Sequence, residues 1–226
     1  MSAIKFDLTY DALLLAQELE KALNDNWISH YNTKDYYGEW KSISLRSASG
    51  SSTDIYANYG NEPFKDTPLL TELPYVQSIL ADWKCEKEAV RFLALYPGSE
   101  IKPHKDLGCS YQDGNFRLHI PILTSDQVSF VVDQQNYQLD PGTCWYMDFS
   151  KIHYVKNDGD TVRVHLVVDC LRNKWTDELF EANGYQEPSR KMSLEEVGKI
   201  IAQLEIHQTE VANQLVEQLK AEYGLS

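Results

Sequence analysis

His104, Asp106 and His153 are the residues whose types and spacing could do chemistry in this chain. In an extended segment, side chains two apart point the same way, so His104 and Asp106 of the run His104-Lys105-Asp106 share one face. His153 follows 47 residues after Asp106. Two imidazoles and one carboxylate can hold a divalent metal on one side and leave the other side open, an arrangement that suits non-haem Fe(II). A chain with six His and this Asp content carries about 0.45 His-x-Asp pairs by chance, so the pair gains meaning only from its surroundings.

Those surroundings read as strands. From Ala89 to Cys170 the apolar pattern has period two, with strand-like segments at 89–96, 100–106, 116–123, 127–133, 143–148 and 161–170. Pro97-Gly98, Asp113-Gly114, Pro141-Gly142 and Asp158-Gly159 mark turns between them. Many short strands with turns between them indicate an antiparallel sandwich or barrel, and the helices fall before or after this block, which argues against a parallel α/β sheet. Two of the strands have divided faces. Phe116, Leu118, Ile120 and Ile122 alternate with Arg117 and His119, and Val162, Val164, Leu166 and Val168 alternate with Arg163, His165, Val167 and Asp169. If the apolar faces pack outward against other elements, both Arg-x-His faces line an interior. A buried guanidinium needs an anion, and its fork matches a carboxylate. A metal triad beside inward arginines is therefore equipped to bind a 2-oxo acid, chelated through its ketone and adjacent carboxylate and held at its far carboxylate by Arg.

The flanks are helical. Residues 9–24 predict a helix capped by Thr9 or Asp11, with Leu15, Leu19 and Leu23 on one face. Residues 40–46 predict a strand, 47–62 a long loop able to cover a substrate, and Thr71 with Pro74 a short helix reaching Trp83. Loop 107–115, with Gly108, Tyr111 and Gly114, is a second element that could close over a guest. After Trp175 the chain turns helical again. Ser193-x-x-Glu196 has the form of a capping box, and Val197, Ile201, Leu204, Val211, Leu215 and Leu219 make a stripe interrupted near His207-Gln208. That stripe serves internal packing or the seam of a homodimer.

The ordered set His104-x-Asp106, Arg117-Leu118-His119-Ile120-Pro121, Asp148-Phe149, His153-x-Val155-x-Asn157 and Arg163-Val164-His165-Leu166 resembles the aspartyl/asparaginyl β-hydroxylase family. Within that family, the arrangement of the triad is similar to that of bacterial proline 3-hydroxylases. The resemblance covers roughly residues 88–172, is fainter around Trp40–Arg46 and does not extend to the C-terminal helices. It implies a mainly β fold: a double-stranded β-helix core of cupin or jelly-roll type, with flanking N-terminal helices and a C-terminal helical appendage. The expected division is an oxygenase domain over 1–175 and a helical region over 176–226. It also implies Fe(II), 2-oxoglutarate and O2, with His104, Asp106 and His153 as metal ligands and Arg163 on the distal carboxylate of 2-oxoglutarate. Arg117 and His119 are implied near the cosubstrate, and Arg91 is a candidate substrate contact. Animal aspartyl hydroxylases use two His ligands without a carboxylate, so Asp106 points away from that branch.

The expected reaction is hydroxylation of an unactivated C–H bond in a small amino acid, proline-like or Asp/Asn-like, with release of succinate and CO2. Alternatives are a peptidyl or carrier-tethered Asp/Asn β-hydroxylase, a zinc or manganese cupin without oxygenase activity, and an inactive binding module. A net charge of −13 argues against nucleic acid and anionic membranes as partners. No apolar run is long enough to span a membrane, and the first residues lack the pattern of a secretory leader. Cys85, Cys109, Cys144 and Cys170 are widely spaced, which fits reduced thiols in a cytoplasmic protein.

Overall fold

The computed structural model describes residues 1–56, 63–187, 193–207 and 209–225. The chain begins with β1 (Ala3–Thr9), α1 (Ala12–Ala22), β2 (Ile28–Ser29), β3 (Tyr36–Tyr37), β4 (Trp40–Ser47) and β5 (Lys65–Asp66). Next come α2 (Pro68–Thr71), α3 (Pro74–Asp82), β6 (Lys87–Leu95) and β7 (Glu100–His104). A 3-10 turn at Tyr111–Asp113 precedes β8 (Asn115–Leu123), β9 (Val128–Val132), β10 (Gln135–Asn136), β11 (Thr143–Met147), β12 (His153–Asn157) and β13 (Arg163–Leu171). Helices α4 (Lys174–Ala182), α5 (Leu194–His207) and α6 (Glu210–Tyr223) complete the order.

Two antiparallel sheets form a double-stranded β-helix. The larger runs β1-β11-β8-β13-β6-β4-β2, with β5 added to β4, and the smaller runs β10-β9-β12-β7-β3. An inner apolar cluster joins the two sheets: Trp40, Leu95 and Met147 of the larger meet Ile101, Val128, Phe130, Val132 and Val155 of the smaller. On the outer face of the larger sheet, Phe116, Leu118, Ile120, Val164, Leu166 and Val168 pack with Leu15, Leu19, Ile79 and Phe180 from α1, α3 and α4, and with Trp83 just past α3. The apolar faces of β8 and β13 therefore turn to the helices, and the Arg-x-His faces turn inward. Period-two alternation decides this, because a one-residue slip would bury the charges against the helices.

Several boundaries differ from the sequence expectation. Thr9 ends β1, a strand not anticipated, which places Ile4 and Phe6 in the core and pairs with β11. The first helix starts at Ala12, and the Asp11 carboxylate accepts from the amides of Leu13 and Leu14 at 2.8 and 3.1 Å. Leu23 lies past its end and is exposed. The helix expected from Pro74 to about Trp83 is α3, and α2, opened by Pro68, is a further short helix before it that was not anticipated. Strand β12 was also unanticipated. Part of loop 47–62, residues 57–62, lies outside the described residues.

Two compact units divide at 186/187, not at 175/176. The cause is α4. Its Phe180 stacks on Tyr111 at 3.6 Å and meets Phe6, Phe116 and Tyr146 edge-on at 5.1–5.2 Å, which ties the helix to the sheet. Phe180→Ala should destabilise this unit by about 3–5 kcal/mol, read as a lowered denaturation midpoint with an unchanged m value. The second unit is a helical hairpin with Val197, Ile201 and Val216 buried. Thr209 caps α6 through the Ala212 amide, Val211 and Leu215 of the expected stripe are exposed, and Ser193 and Glu196 form the expected capping box. Gln208, in the interruption, lies outside the described residues. No described helix is long and apolar enough to cross a membrane, and no cysteine is in a disulfide.

Candidate metal and anion site

His104 is the last residue of β7 and His153 the first of β12, and the register sets them directly opposite each other. Their ring centroids are 4.2 Å apart. Asp106 lies two residues beyond the strand end, where its amide donates to the Phe149 carbonyl at 2.9 Å. His104, Asp106 and His153 each offer a ligand atom, and these atoms lie within 4.8 Å of one another. His104 Nε2 is 3.6 Å from Asp106 Oδ1. Donors about a cation at roughly 2.1 Å stand about 3 Å apart, so small side-chain rotations bring this set to ligand spacing.

The imidazoles are oriented for the task. His104 Nδ1 donates to the Lys102 carbonyl at 2.7 Å, and His153 Nδ1 to the Lys151 carbonyl at 3.0 Å. A carbonyl only accepts, so each Nδ1 carries the hydrogen and each Nε2 keeps its lone pair. The donor set fits a divalent metal of borderline hardness, iron included.

Around the triad, the expected basic residues divide into two groups. Arg117 donates through Nε to Asp169 and through a terminal nitrogen to Asp106 at 3.0 Å. Arg91 donates to Asp169 and, at 3.1 Å, to the Ile55 carbonyl. Burial opposes ionisation of Asp169, but Arg117 and Arg91 outweigh it and hold the carboxyl below its usual range. Burial likewise opposes the charge of Arg117, which Asp169, with Cys109 and Asp106, more than restores. Arg117, expected as an anion receptor, thus spends its donors on carboxylates of its own chain and steadies Asp106.

Arg163 belongs to the second group. It is 2 % exposed, and among the described residues it has no carboxylate partner. A terminal nitrogen donates to His165 Nδ1 at 2.8 Å, its Nε has no partner among the described residues, and its guanidinium lies 5.4 Å from the Phe130 ring. Burial lowers its pKa to about 9, so it remains cationic at neutral pH. His119 Nδ1 is 3.2 Å from His165 Nδ1, and His119 Nε2 is buried without a partner among the described residues. Phe149 links this group to the triad, its ring 5.2 Å from His119 and 4.6 Å from His153.

Sequence reasoning missed three features. Asp169 was placed on the inner face but not recognised as the counter-charge of two arginines. His165 was not singled out, although its alternation with Arg163 was visible. His30 was not noticed: it stacks on Trp40 at 3.5 Å and on Tyr31 at 4.5 Å. Burial, then Arg91 and Arg117, lowers its pKa to about 4. The reading of loop 107–115 as a closing element also changes. Tyr111 is fully buried, and its hydroxyl donates to Asp177 at 2.8 Å and lies 2.9 Å from the Thr176 hydroxyl, which pins the middle of that loop to α4.

Four histidines are held neutral. Burial lowers the pKa of His30 and His153 to about 4, and burial together with Arg163 drives His119 and His165 well below the ordinary value. Because the unfolded chain takes up these protons first, stability is complete above about pH 6.5 and falls as pH drops toward 4. The slope is roughly 1.4 kcal/mol per pH unit for each histidine. Denaturant titrations of the metal-free protein at pH 7, 6 and 5 should show it. A flat profile would contradict the neutral assignment.

The L-proline cis-4-hydroxylase of Rhizobium meliloti (strain 1021) is 26% identical over 164 residues, covering 71% of this chain. This chain spans 57% of the length of that relative. Among solved structures, a 2OG-Fe(II) oxygenase family oxidoreductase from Burkholderia pseudomallei is similar at TM-score 0.48 and 12% identity, over 71% of this chain and 79% of that one. A Pseudomonas putida prolyl-4-hydroxylase is similar at TM-score 0.48 and 11% identity, over 76% and 93%. The family model for aspartyl/asparaginyl β-hydroxylases matches residues 11–173, from the cap of α1 to the cap of α4 and including every residue of the site. This chain belongs to the aspartyl/asparaginyl β-hydroxylase family.

Proposed function

We propose that this protein is an Fe(II)- and 2-oxoglutarate-dependent dioxygenase that hydroxylates a C–H bond of a small amino acid, proline-like or Asp/Asn-like. The observation that carries the reading is Arg163, a guanidinium almost wholly removed from water with no carboxylate partner among the described residues. Such a charge is costly to bury and calls for an anion from outside. Contacts run from Arg163 through His165, His119 and Phe149 to His153 of the His-Asp-His cluster, so an anion suited to both is a 2-oxo acid with a second carboxylate. His104, Asp106 and His153 would hold the iron, Arg163 the distal carboxylate, and Arg117 the orientation of Asp106. Bound iron and 2-oxoglutarate would supply the oxidant, with O2 consumed and succinate and CO2 released as the substrate gains a hydroxyl. The chain's own share is to fix the ligand lone pairs, neutralise the anion and keep water from the reacting face.

The 26% identity to an L-proline hydroxylase supports a free amino acid as substrate. The test is succinate formation with iron, ascorbate and 2-oxoglutarate across a panel of free amino acids and Asp- or Asn-containing peptides. Stimulation by proline or another free amino acid is expected. Stimulation by peptides alone would move the substrate to the peptidyl class, and 2-oxoglutarate turnover in neither case would reject the oxygenase reading. We further propose that the protein acts in the cytoplasm, and that the exposed Val211 and Leu215 of α6 are where a homodimer would form.

A further inference from the structure

Arg117 has three donor nitrogens, and all three are engaged. Nε donates to Asp169 Oδ1, one terminal nitrogen donates to Asp169 Oδ2 at 3.4 Å, and the other donates to Asp106 Oδ2 at 3.0 Å. The register makes this division, because Asp169 of β13 and Arg117 of β8 are direct cross-strand partners. Asp169 is buried and has little freedom of its own. Its Oδ2 also accepts from Arg91, which is fixed in turn on the Ile55 carbonyl at 3.1 Å. Asp106 is divided as well. Its Oδ2 faces the guanidinium, while Oδ1 lies on the histidine side, 3.6 Å from His104 Nε2.

We propose that Asp169 is a positioning residue that holds two of the three Arg117 donors, so that Asp106 offers the metal a single oxygen. A carboxylate can hold an ion through one oxygen or through both. One charge-assisted bond to Oδ2 keeps that oxygen off the ion and leaves Oδ1 for it. Without Asp169, the Arg117 fork closes on both Asp106 oxygens and competes with the ion. Without Arg117, both oxygens turn to the ion and fill a position that a bound guest needs. Asp169 therefore guards the open face of the metal although it touches neither the metal position nor any of the three ligands. The inference rests on His104, Asp106 and His153 as metal ligands, and it goes beyond that reading in assigning Asp169 and the one-oxygen mode.

Manganese(II) binding to the full-length protein tests it. Electron paramagnetic resonance of the free ion gives affinity, and water-proton relaxation reports the waters left on the bound ion. Asp169→Asn should weaken manganese about 10–100-fold. Asp169→Asn combined with Arg91→Met restores the parent's charge and should weaken manganese similarly. That pair also serves if the single variant, with two uncompensated guanidiniums, does not fold. In an Arg117→Gln background, Asp169→Asn should have no further effect, because its path to the metal is gone. Arg117→Gln itself should lower the relaxation per bound manganese by about a third, as the second oxygen displaces one of three waters from a six-position ion. The assignment is overturned if the Asp169 variants bind manganese as the parent does, or if Asp169→Asn weakens it equally with Arg117 present or replaced. It is also overturned if Arg117→Gln leaves the relaxation per ion unchanged. Failure of the ligand reading looks different: manganese affinity then survives Asp106→Ala, and the role of Asp169 falls with it.

Discussion

Arg163→Met should cost the protein its 2-oxoglutarate and none of its stability. A guanidinium that is 2 % exposed and, among the described residues, bonded only to a neutral imidazole is a buried charge whose desolvation is poorly compensated. Methionine has similar reach and no charge, so the variant should be as stable as the parent or more so, by about 1–3 kcal/mol. Its affinity for 2-oxoglutarate should fall about 10²–10³-fold, the usual result of losing a buried charge-assisted pair. Iron affinity should hardly change, because among the described residues the contacts of Arg163 reach the triad only through intervening rings, His165 and His119 or Phe130, and then Phe149. Parallel titrations of iron and of 2-oxoglutarate, with a melting curve, separate these effects. Equal loss of both ligands, or a large drop in Tm, would mean that Arg163 is structural.

Asp106→Ala should do the opposite, removing the metal while leaving the anion pocket intact. The carboxylate supplies the only oxygen of the three-residue donor cluster, and it also accepts from Arg117 at 3.0 Å. Its loss leaves two imidazoles and a guanidinium that still has Asp169. Folding should therefore survive, iron affinity should fall at least about 10²-fold, and succinate formation should become undetectable at ordinary iron concentrations. If turnover persists at more than a tenth of the parent rate, the working ligand set is the two-histidine one, and Asp106 serves Arg117 instead. Asp106→Asn, which keeps an oxygen at the same place, should be the milder of the two.

How much could be read beforehand depends on the range of each interaction. The inward face of β8 and β13 was legible because a period of two is a local property: Arg117 and His119, like Arg163 and His165, had to share a side. The pairing of His104 with His153 was legible only as a coincidence of residue types, since the register that makes them opposite belongs to two strands far apart in sequence. Partner choice was not legible. Nothing local says that Arg117 and Arg91 would turn to Asp169, 52 and 78 residues away, while Arg163 would turn to no carboxylate among the described residues. Tyr111 misled for a similar reason. Between Gly108 and Gly114 it looks like the tip of a loop, but α4 supplies Thr176, Asp177 and Phe180 to hold it. β1 was overlooked although Ile4, Phe6 and Leu8 alternate there, because its partner β11 lies more than a hundred residues downstream.

The lone pairs that face the metal are set by the carbonyls of Lys102 and Lys151, each two residues before the histidine it orients. A carbonyl is common to all twenty amino acids. Mutational drift at positions 102 and 151 can therefore exchange one side chain for another without disturbing the basicity of either ligand. In descendants of this chain, those sites would record pressures from the molecular surface, and the instruction that prepares the histidines would pass between generations unwritten in any alignment column.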